Sequence, residues 1–382
     1  MHDLAIAGAG PAGASAARAA ARAGLSVLLF DKDRFPRPKP CGGALSEHAV
    51  KALDFPLPDD LIERDYHGGL LCIDARRTLA APPWRTGVLV TRERFDALLV
   101  DKAREAGAEV REGVKVLGFA EDGEGVRLRT SAGEARARLL LVCEGASGRL
   151  KHAVRPPDSP HEYNYCVCAD VPNAPDSAPG AAVSGKPLVL HFGICRVSYG
   201  WVFPRRTDSS VGMGELGTER RKAVAHLMEL LRAHGVERPV RLQGHKIPMG
   251  GVDRPVYRGR ALLAGDAGGF ADPLLGEGIS HAIRTGQMAA KAVAEALAAG
   301  DPLAAGPLFE QLTRPLHEEL RHALRLVRAL EHAPRHLYKA MLSDKKTVLR
   351  YVDILAGRCT YREFNRYLKR RMPWYLLRML WA

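Results

Sequence analysis

The sequence predicts an α/β protein: a Rossmann-like nucleotide-binding domain in separate segments, interrupted by a β-rich substrate domain and followed by a C-terminal helical region. Three observations predict it. The chain opens on a strand, a glycine loop, a helix and a second strand; a further short strand with its own glycine-rich loop comes only near residue 265; and β-patterned stretches fill the interval. The nucleotide-binding segments are expected at 1–65, 91–155 and 255–300, the substrate domain at 66–90 and 156–254, and the helical, basic region at 301–382.

Residues 3–7 (Asp-Leu-Ala-Ile-Ala) read as a short buried strand. The Ala-rich run 11–24 ends in Gly24, as a helix with a C-terminal glycine does, and residues 26–30 give the next strand, closed by Asp31. Further on, RERFDALLVDKAREAGAEV reads as helix then strand, and ARLLLVCEGASG as a buried strand ending in a turn. ALLAG, residues 261–265, is a strand before the helix GISHAIRTGQMAAKAVAEALAAG. The stretches 66–90 and 160–250 carry Val, Tyr and Cys in alternating patterns with turn residues such as VPNAPDSAPG. From residue 301 the pattern is helical, with breaks expected at Pro302, Pro307, Pro315, Pro334 and Pro373.

Composition bounds the function. The 382 residues carry 46% hydrophobic and 26% charged side chains, which fits a globular protein with real cores. Seven cysteines, odd in number and scattered, argue for a reducing compartment. Cys166 and Cys168 share one face of a strand and read as buried thiols. His191, His245 and His281 form no ligand spacing, and neither HExxH nor CxxC occurs, so no metal is expected. Ser15 and Ser46 lack a GxSxG context, which excludes covalent acyl chemistry.

No signal peptide is visible, and no run approaches the roughly 18 apolar residues of a spanning helix, so the expectation is a cytoplasmic protein, with or without a peripheral membrane face. The net charge of +13 is concentrated late: residues 313–382 hold 16 Lys/Arg against 6 Asp/Glu. Basic residues beside Trp374, Tyr375, Leu376, Leu377 and Trp381 suit an anionic membrane surface or acidic head group. The other reading is a solvated basic tail whose aromatics pack on the protein's own core. No nucleic-acid motif accompanies the charge, and no nucleic-acid partner is expected.

Gly8-Ala9-Gly10-Pro11-Ala12-Gly13 is a GxGxxG between strand and helix, and Asp31 ends the second strand. The glycines permit a tight turn, close approach to a pyrophosphate and close helix–strand packing, while the helix N-terminus offers free N–H groups to phosphate. A carboxylate at the end of the second strand can accept from ribose hydroxyls. The distant stretch LLAGDAGGFADPLLGEGISHAI, residues 262–283, selects FAD. Gly265-Asp266 ends a strand where the carboxylate can accept from a ribityl chain, Pro273 follows in the loop, and Gly276-Glu277-Gly278-Ile279 opens a helix able to face the flavin's pyrimidine end.

GAGPAG, TRERFD and GDAGGFADPLLGEGI together resemble the flavoprotein superfamily of p-hydroxybenzoate hydroxylase. Within it, PRPKPCGG (Pro36–Gly43) and YGWVFP (Tyr199–Pro204) resemble the geranylgeranyl reductase signatures PxxKxCGG and YxWxFP. The resemblance spans residues 1 to about 300. It implies that Arg92 contacts the FAD phosphate or ribose, and that Gly145, Ser147 and Arg149 belong to a second nucleotide motif. Two departures stand out: Glu144-Gly145 where Asp-Gly is usual, and glycine at the fourth place of Gly-Asp-Ala-Gly-Gly, where alanine is commoner. The expected cofactor-facing set is Gly8, Gly10, Ala12, Gly13, Asp31, Lys32, Cys41, Gly42, Arg92, Gly145, Ser147, Gly265, Asp266, Pro273, Gly276, Gly278 and Ile279.

On this reading the loop RFPRPKPCGGALS runs along the flavin. Gly42 and Gly43 let backbone pass a flat ring and the substrate, its prolines stiffen it, and Cys41 sits near the reactive edge, with Lys39 close by. Cys41 would position a double bond or take part in proton delivery. Tyr199 and Trp201 share a strand face and would form an aromatic wall for an apolar chain, or the tyrosine would donate a proton; ordinary core packing is the plain reading.

The resemblance implies reduction of C=C bonds in a geranylgeranyl or polyprenyl chain. The reductant is left open between NAD(P)H, which finds no second dinucleotide fold here, and a ferredoxin-like donor protein. The alternative is an FAD-dependent monooxygenase acting on an aromatic small molecule or a protein side chain. A different class, a non-catalytic flavin-bearing or membrane-associated partner, leaves the Cys-Gly-Gly loop unexplained.

Overall fold

A computed structural model describes residues 1–173, 187–194, 198–217, 220–237, 239–333 and 335–379. Cys195, most of VPNAPDSAPG, Pro334 and Trp381 lie outside the described residues. Two sheets organise the molecule. The first has a parallel core in the spatial order Glu109–Glu112, Val27–Asp31, His2–Ala7, Gly133–Val142, Ala261–Leu263. The hairpin Val116–Glu121/Val126–Thr130 extends it by antiparallel pairing along Gly133–Val142, and Tyr257–Arg258 closes one edge. Buried on both faces, the central strands His2–Ala7 and Val27–Asp31 and the end of Gly133–Val142 read as continuous apolar runs; Leu4, Ala5 and Ile6 are fully buried.

Strand His2–Ala7 leads through the glycine loop into helix Pro11–Arg22 and so to Val27–Asp31 on one side, while Gly133–Val142 pairs on the other. The strand order therefore reverses at the central strand, where a crevice opens beyond the carboxyl ends of the strands. Helix Ile279–Ala298 packs on the first helix, and Gly286 allows the contact: a Cβ there would stand 2.1 Å from the Ala12 carbonyl oxygen.

The second sheet runs Gln243–Pro248, Tyr163–Pro172, Asp208–Leu216, Tyr199–Pro204, Leu188–Phe192, Gly69–Ile73, Arg76–Ala80, antiparallel except where Leu188–Phe192 meets Gly69–Ile73. One face of this sheet carries Tyr199, Trp201 and Phe203. The other packs Val167, Val202, Val211 and Met213 on Leu227, Leu230 and Leu231 of helix Arg220–Ala233. That helix stands in the stretch expected to be β-like. It supplies the second layer that a sheet with two apolar faces requires.

The C-terminal region is helical, as Ala305–His332, Arg335–Leu342, Lys345–Leu355 and Tyr361–Met379. The expected breaks at Pro307, Pro315 and Pro373 do not occur: Pro307 stands in the first turn of helix Ala305–His332, where no N–H is needed, and Pro315 and Pro373 lie inside helices. An interior proline costs about 3 kcal/mol. Around Pro315 that cost is offset by the burial of Phe309, Leu316, Leu320 and Val327 along one face, each completely buried side chain contributing about 1.5–3 kcal/mol. Near Pro373, Tyr375 and Leu368 are buried in the same way.

Candidate active site

The crevice at the first sheet's switch point continues into one cavity of about 830 Å³. At its first end stands the glycine loop. Gly8 has φ +102°, and a Cβ there would lie 2.4 Å from the Cys143 carbonyl oxygen; a Cβ on Gly13 would lie 1.8 Å from the Gly8 carbonyl oxygen. Gly10 differs: its side-chain direction opens into the cavity, with only an Arg37 Nη at 3.8 Å. No side chain caps helix Pro11–Arg22, which leaves its first-turn N–H groups to a ligand. Asp31 is 7% exposed; its Oδ2 accepts from the Ala9 amide at 2.7 Å and its Oδ1 from the Asp33 amide. The carboxylate thus holds the loop in shape and also lines the cavity.

Facing the loop is a cationic wall. Arg92 makes a two-pronged ion pair with the fully buried Asp96 at 2.7 and 2.9 Å, and Arg37 reaches the same carboxylate at 3.2 Å. The Asp96 charge is shared by two guanidinium groups, and Arg37 keeps a buried Nη1 without a hydrogen-bond partner. An uncapped helix end, a bare Gly10 and an orphaned guanidinium N–H are what a diphosphate requires. Arg37 was not among the residues singled out from the sequence. Its signal, a basic residue in the loop after the ribose-binding acid, was present in RFPRPKP.

Further along lie Asp266, whose carboxyl is pushed up by burial, and the loop Gly276-Glu277-Gly278 at the N-terminus of helix Ile279–Ala298. Glu277 caps that helix: its Oε1 accepts from the Ser280 amide and its Oε2 from the Ser280 hydroxyl. Behind this loop, Asp272 accepts from the amides of Leu274 and Leu275 and from the hydroxyl of Tyr361, at 2.7 and 2.6 Å to its two oxygens. The C-terminal region therefore anchors the loop that faces the cavity.

Of the expected cofactor residues, Gly8, Gly10, Ala12, Asp31, Lys32, Cys41, Gly42, Arg92, Gly145, Ser147, Gly265, Asp266, Gly276, Gly278 and Ile279 line this cavity. Gly13 and Pro273 do not reach it. Gly13 is spent on helix–strand packing, and Pro273 is buried in the turn that Asp272 caps.

The Cys41 loop meets the second sheet here. A Cβ on Gly42 would press on the Phe203 ring at 2.9 Å and on Trp201 Nε1 at 3.2 Å, and one on Gly43 would strike the Val90 carbonyl oxygen at 2.2 Å. The bareness of both is thus explained by protein contacts, with the aromatic strand pressed against the loop. Cys41 Sγ accepts from the Gly43 amide at 3.4 Å and interacts with the Arg92 guanidinium. Cys166 and Cys168 also line this part of the cavity, and burial pushes both thiols up, Cys168 to about 12.

Tyr199, Trp201 and Phe203 form a continuous aromatic row, neighbouring centroids 6.4 and 6.2 Å apart. The Tyr199 hydroxyl donates to the Leu275 carbonyl, and burial holds its proton on firmly. Opposite and beyond them the cavity is apolar, with Leu71, Leu188 and Leu190 from the second sheet and Tyr351, Val352 and Leu355 from helix Lys345–Leu355. This helical contribution was also missed, although the apolar spacing in TVLRYVDIL marks one face of a helix.

A glycine cradle for diphosphate, a ribose-side acid, a second glycine-rich loop at a helix N-terminus and an adjoining apolar chamber define an FAD-dependent oxidoreductase. A model of the FAD binding domain matches residues 1–304. Geranylgeranyl diphosphate reductase of Rhodobacter capsulatus is 31% identical over 308 residues, 79% of this chain and 77% of that protein. Digeranylgeranylglycerophospholipid reductase 1 of Methanopyrus kandleri is 30% identical, over 78% and 82%. Menaquinone reductase of Mycobacterium tuberculosis is 31% identical, over 76% of each. The chain belongs to the geranylgeranyl reductase family of FAD-dependent oxidoreductases. Its fold is that of a geranylgeranyl bacteriochlorophyll reductase-like protein from Thermoplasma acidophilum (TM-score 0.81, 21% identity, 99% of this chain and 98% of that one). The flavin-dependent brominase Bmp2 shares it too (TM-score 0.76, 21% identity, 97% and 99%).

Proposed function

We propose that this protein reduces carbon–carbon double bonds of a geranylgeranyl or longer polyprenyl chain. The observation that carries the reading is the continuity of the cavity, from the diphosphate cradle at Gly10 and Arg37, past Cys41, into a chamber walled by Trp201, Phe203, Leu190, Tyr351 and Leu355. An apolar chamber suits an alkyl chain and offers little to a polar aromatic acid. The names of the relatives support the same substrate class.

FAD, when bound and reduced, supplies the hydride. The glycine loop, the first helix and Arg37 hold its diphosphate, and Asp266 its ribityl chain. The aromatic row excludes water and lays the alkene along the loop. A proton must reach the second alkene carbon, and Cys41 is the donor in this reading, since Tyr199 already gives its proton to the Leu275 carbonyl. The substrate region then comprises 66–90 and 156–254 together with helix Lys345–Leu355.

The tail divides between the two readings of its sequence. Tyr375 is fully buried, whereas Leu376 and Leu377 are 50% and 59% exposed. Arg371 and Arg378 flank Trp374 at 4.0 and 4.6 Å from its ring. No described helix is long and apolar enough to cross a membrane. This end of helix Tyr361–Met379 serves as a peripheral contact with an anionic membrane, the source of a lipid-borne chain.

The test is anaerobic. The flavoprotein is reduced with dithionite, geranylgeranyl diphosphate or a geranylgeranylated lipid is added, and the oxidised flavin band is followed. Its return without oxygen, with a hydrogenated chain in the product, is expected. A band that returns only on admitting oxygen would overturn the reading and direct attention to oxidation of an aromatic or protein substrate. Bleaching by NAD(P)H or by a reduced ferredoxin identifies the donor. In the same assay Cys41→Ala is expected to lower turnover about a hundredfold with FAD retained, the lower range of general-acid effects. Equal rates for native, Cys41→Ser and Cys41→Ala proteins would remove Cys41 from the mechanism.

A further inference from the structure

Between Arg37 and Cys41 the loop carries a half-buried cation that neither diphosphate binding nor proton delivery uses. The Lys39 Nζ lies 3.3 and 3.0 Å from Nδ1 and Nε2 of His245, on strand Gln243–Pro248 of the second sheet. An ammonium in the plane of the ring could not approach both nitrogens without striking the carbon between them. It therefore lies across the ring face, and both residues border the cavity.

The charged groups facing Lys39 are Arg92 and Arg37, of like sign, and Asp266 and Asp96, of opposite sign. Among the described residues Lys39 forms no salt bridge, Asp96 being paired with the two arginines. Burial first, and Arg92 next, pulls the ammonium down to about 8. Burial and the surrounding cations Lys39, Arg92 and Arg37 take His245 down to about 3, so the imidazole is neutral and its ring can sit beside the ammonium. A cation partly withdrawn from water beside two other cations, without its own carboxylate, favours the arrival of an anion in the cavity it borders. Arg37 already faces the diphosphate end. Lys39 stands two residues nearer Cys41 and is coupled to Asp266, further along the cavity.

We propose that Lys39, held across the face of His245, is the positive charge that stabilises the bound flavin in its reduced state, when the ring system carries added negative charge. This rests on the FAD site and not on the alkene substrate, so its failure leaves the substrate reading untouched.

The experiment is a dye-equilibrated reductive titration of FAD-loaded native, Lys39→Met and Lys39→Arg proteins across about pH 6.5–9.5, with the Kd of oxidised FAD measured alongside. Lys39→Met is expected to bind oxidised FAD nearly as the native protein does and reduced FAD about tenfold more weakly. For a two-electron couple that lowers the midpoint potential by about 30 mV. Lys39→Arg restores it. In the native protein the slope of potential against pH steepens above about pH 8. Below that value Lys39 is protonated in both redox states; above it, reduction draws a further proton onto the amine. Lys39→Met shows no such steepening. An unchanged midpoint in Lys39→Met, or equal weakening of both redox states, would overturn the proposal and leave Lys39 as a loop anchor. Should Lys39→Met fail to hold FAD, Lys39→Gln takes its place in the same titration, and an unchanged midpoint there refutes the assignment.

Discussion

Alanine at Gly10 is expected to leave the protein as stable as the native form while weakening FAD binding about ten- to a hundredfold. The three glycines of the loop are constrained by different things. Alanine at Gly8 would meet a positive φ and the Cys143 carbonyl, and at Gly13 the Gly8 carbonyl, so either change strains the fold itself. Gly10 has φ −68° and ψ −173°, a conformation open to any residue, and its side-chain direction meets no protein atom closer than 3.8 Å. A methyl group there projects only into the space assigned to the diphosphate. Overpacking by one methyl group costs about 1–3 kcal/mol, or about ten- to a hundredfold in Kd. The check is a pair of measurements: the thermal midpoint of the apo-protein, expected unchanged, and the Kd for FAD. Unaltered affinity in Gly10→Ala would mean that the diphosphate does not pass over this residue. A fall in apo-protein stability would mean that the glycine serves the fold.

The elements legible in the sequence are those whose cause is local. GAGPAG between two apolar runs, with Asp31 after the second, is dictated by the backbone of one turn, and the structure places strand, helix and acid within a residue or two of expectation. The same holds for Gly265-Asp266 and the glycines before helix Ile279–Ala298. What escaped was tertiary in origin. Pro315 and Pro373 are helix breakers by propensity, and the long apolar faces they interrupt overrule them. Helix Arg220–Ala233 carries a helical period, AVAHLMELL, yet lies among strands and was absorbed into their pattern.

The site divides along the same line. Glycines announce themselves because only glycine fits. The cationic wall does not, because Arg37, Arg92 and Asp96 meet only after a strand and a helix have been placed. Lys39 and His245 are 206 residues apart in the chain, Tyr361 and Asp272 89 apart. Residues such as Tyr351 and Leu355, which close the apolar chamber, look in sequence like any buried helix face. The loop PKPCGGALS shows both sides: its glycines were read as an approach to a flavin ring, and the close approach the structure shows is that of Phe203, Trp201 and Val90.

Asp158→Asn is expected to destabilise the folded protein by about 3–5 kcal/mol at neutral pH, the range found when one partner of a buried ion pair is removed. The Asp158 side chain is 2% exposed and stands among three cations: Lys151 at 3.4 Å, Arg155 at 2.6 Å and Arg254 at 2.5 Å, with the Tyr163 hydroxyl donating at 3.0 Å. Lys151 and Arg155 are themselves 2% and 1% exposed, so a neutral amide leaves them as uncompensated buried charge. The cluster joins the segment after strand Gly133–Val142 to strand Tyr163–Pro172 and to the turn at Gly251, to whose carbonyl Arg155 also donates. It thereby ties the first sheet to the second. Burial alone would raise the Asp158 carboxyl, but Arg155 and Lys151 outweigh it and hold it below its ordinary value of 3.8. A lowered carboxylate contributes stability above the unfolded value and loses it as pH falls through the folded one. The gap between native and Asp158→Asn midpoints in denaturant, measured with FAD saturating, should therefore be constant from about pH 6 to 8 and narrow below about pH 4. A gap under about 1 kcal/mol, or one insensitive to acid, would mean that water reaches these charges and that the two sheets are held together by apolar contact alone.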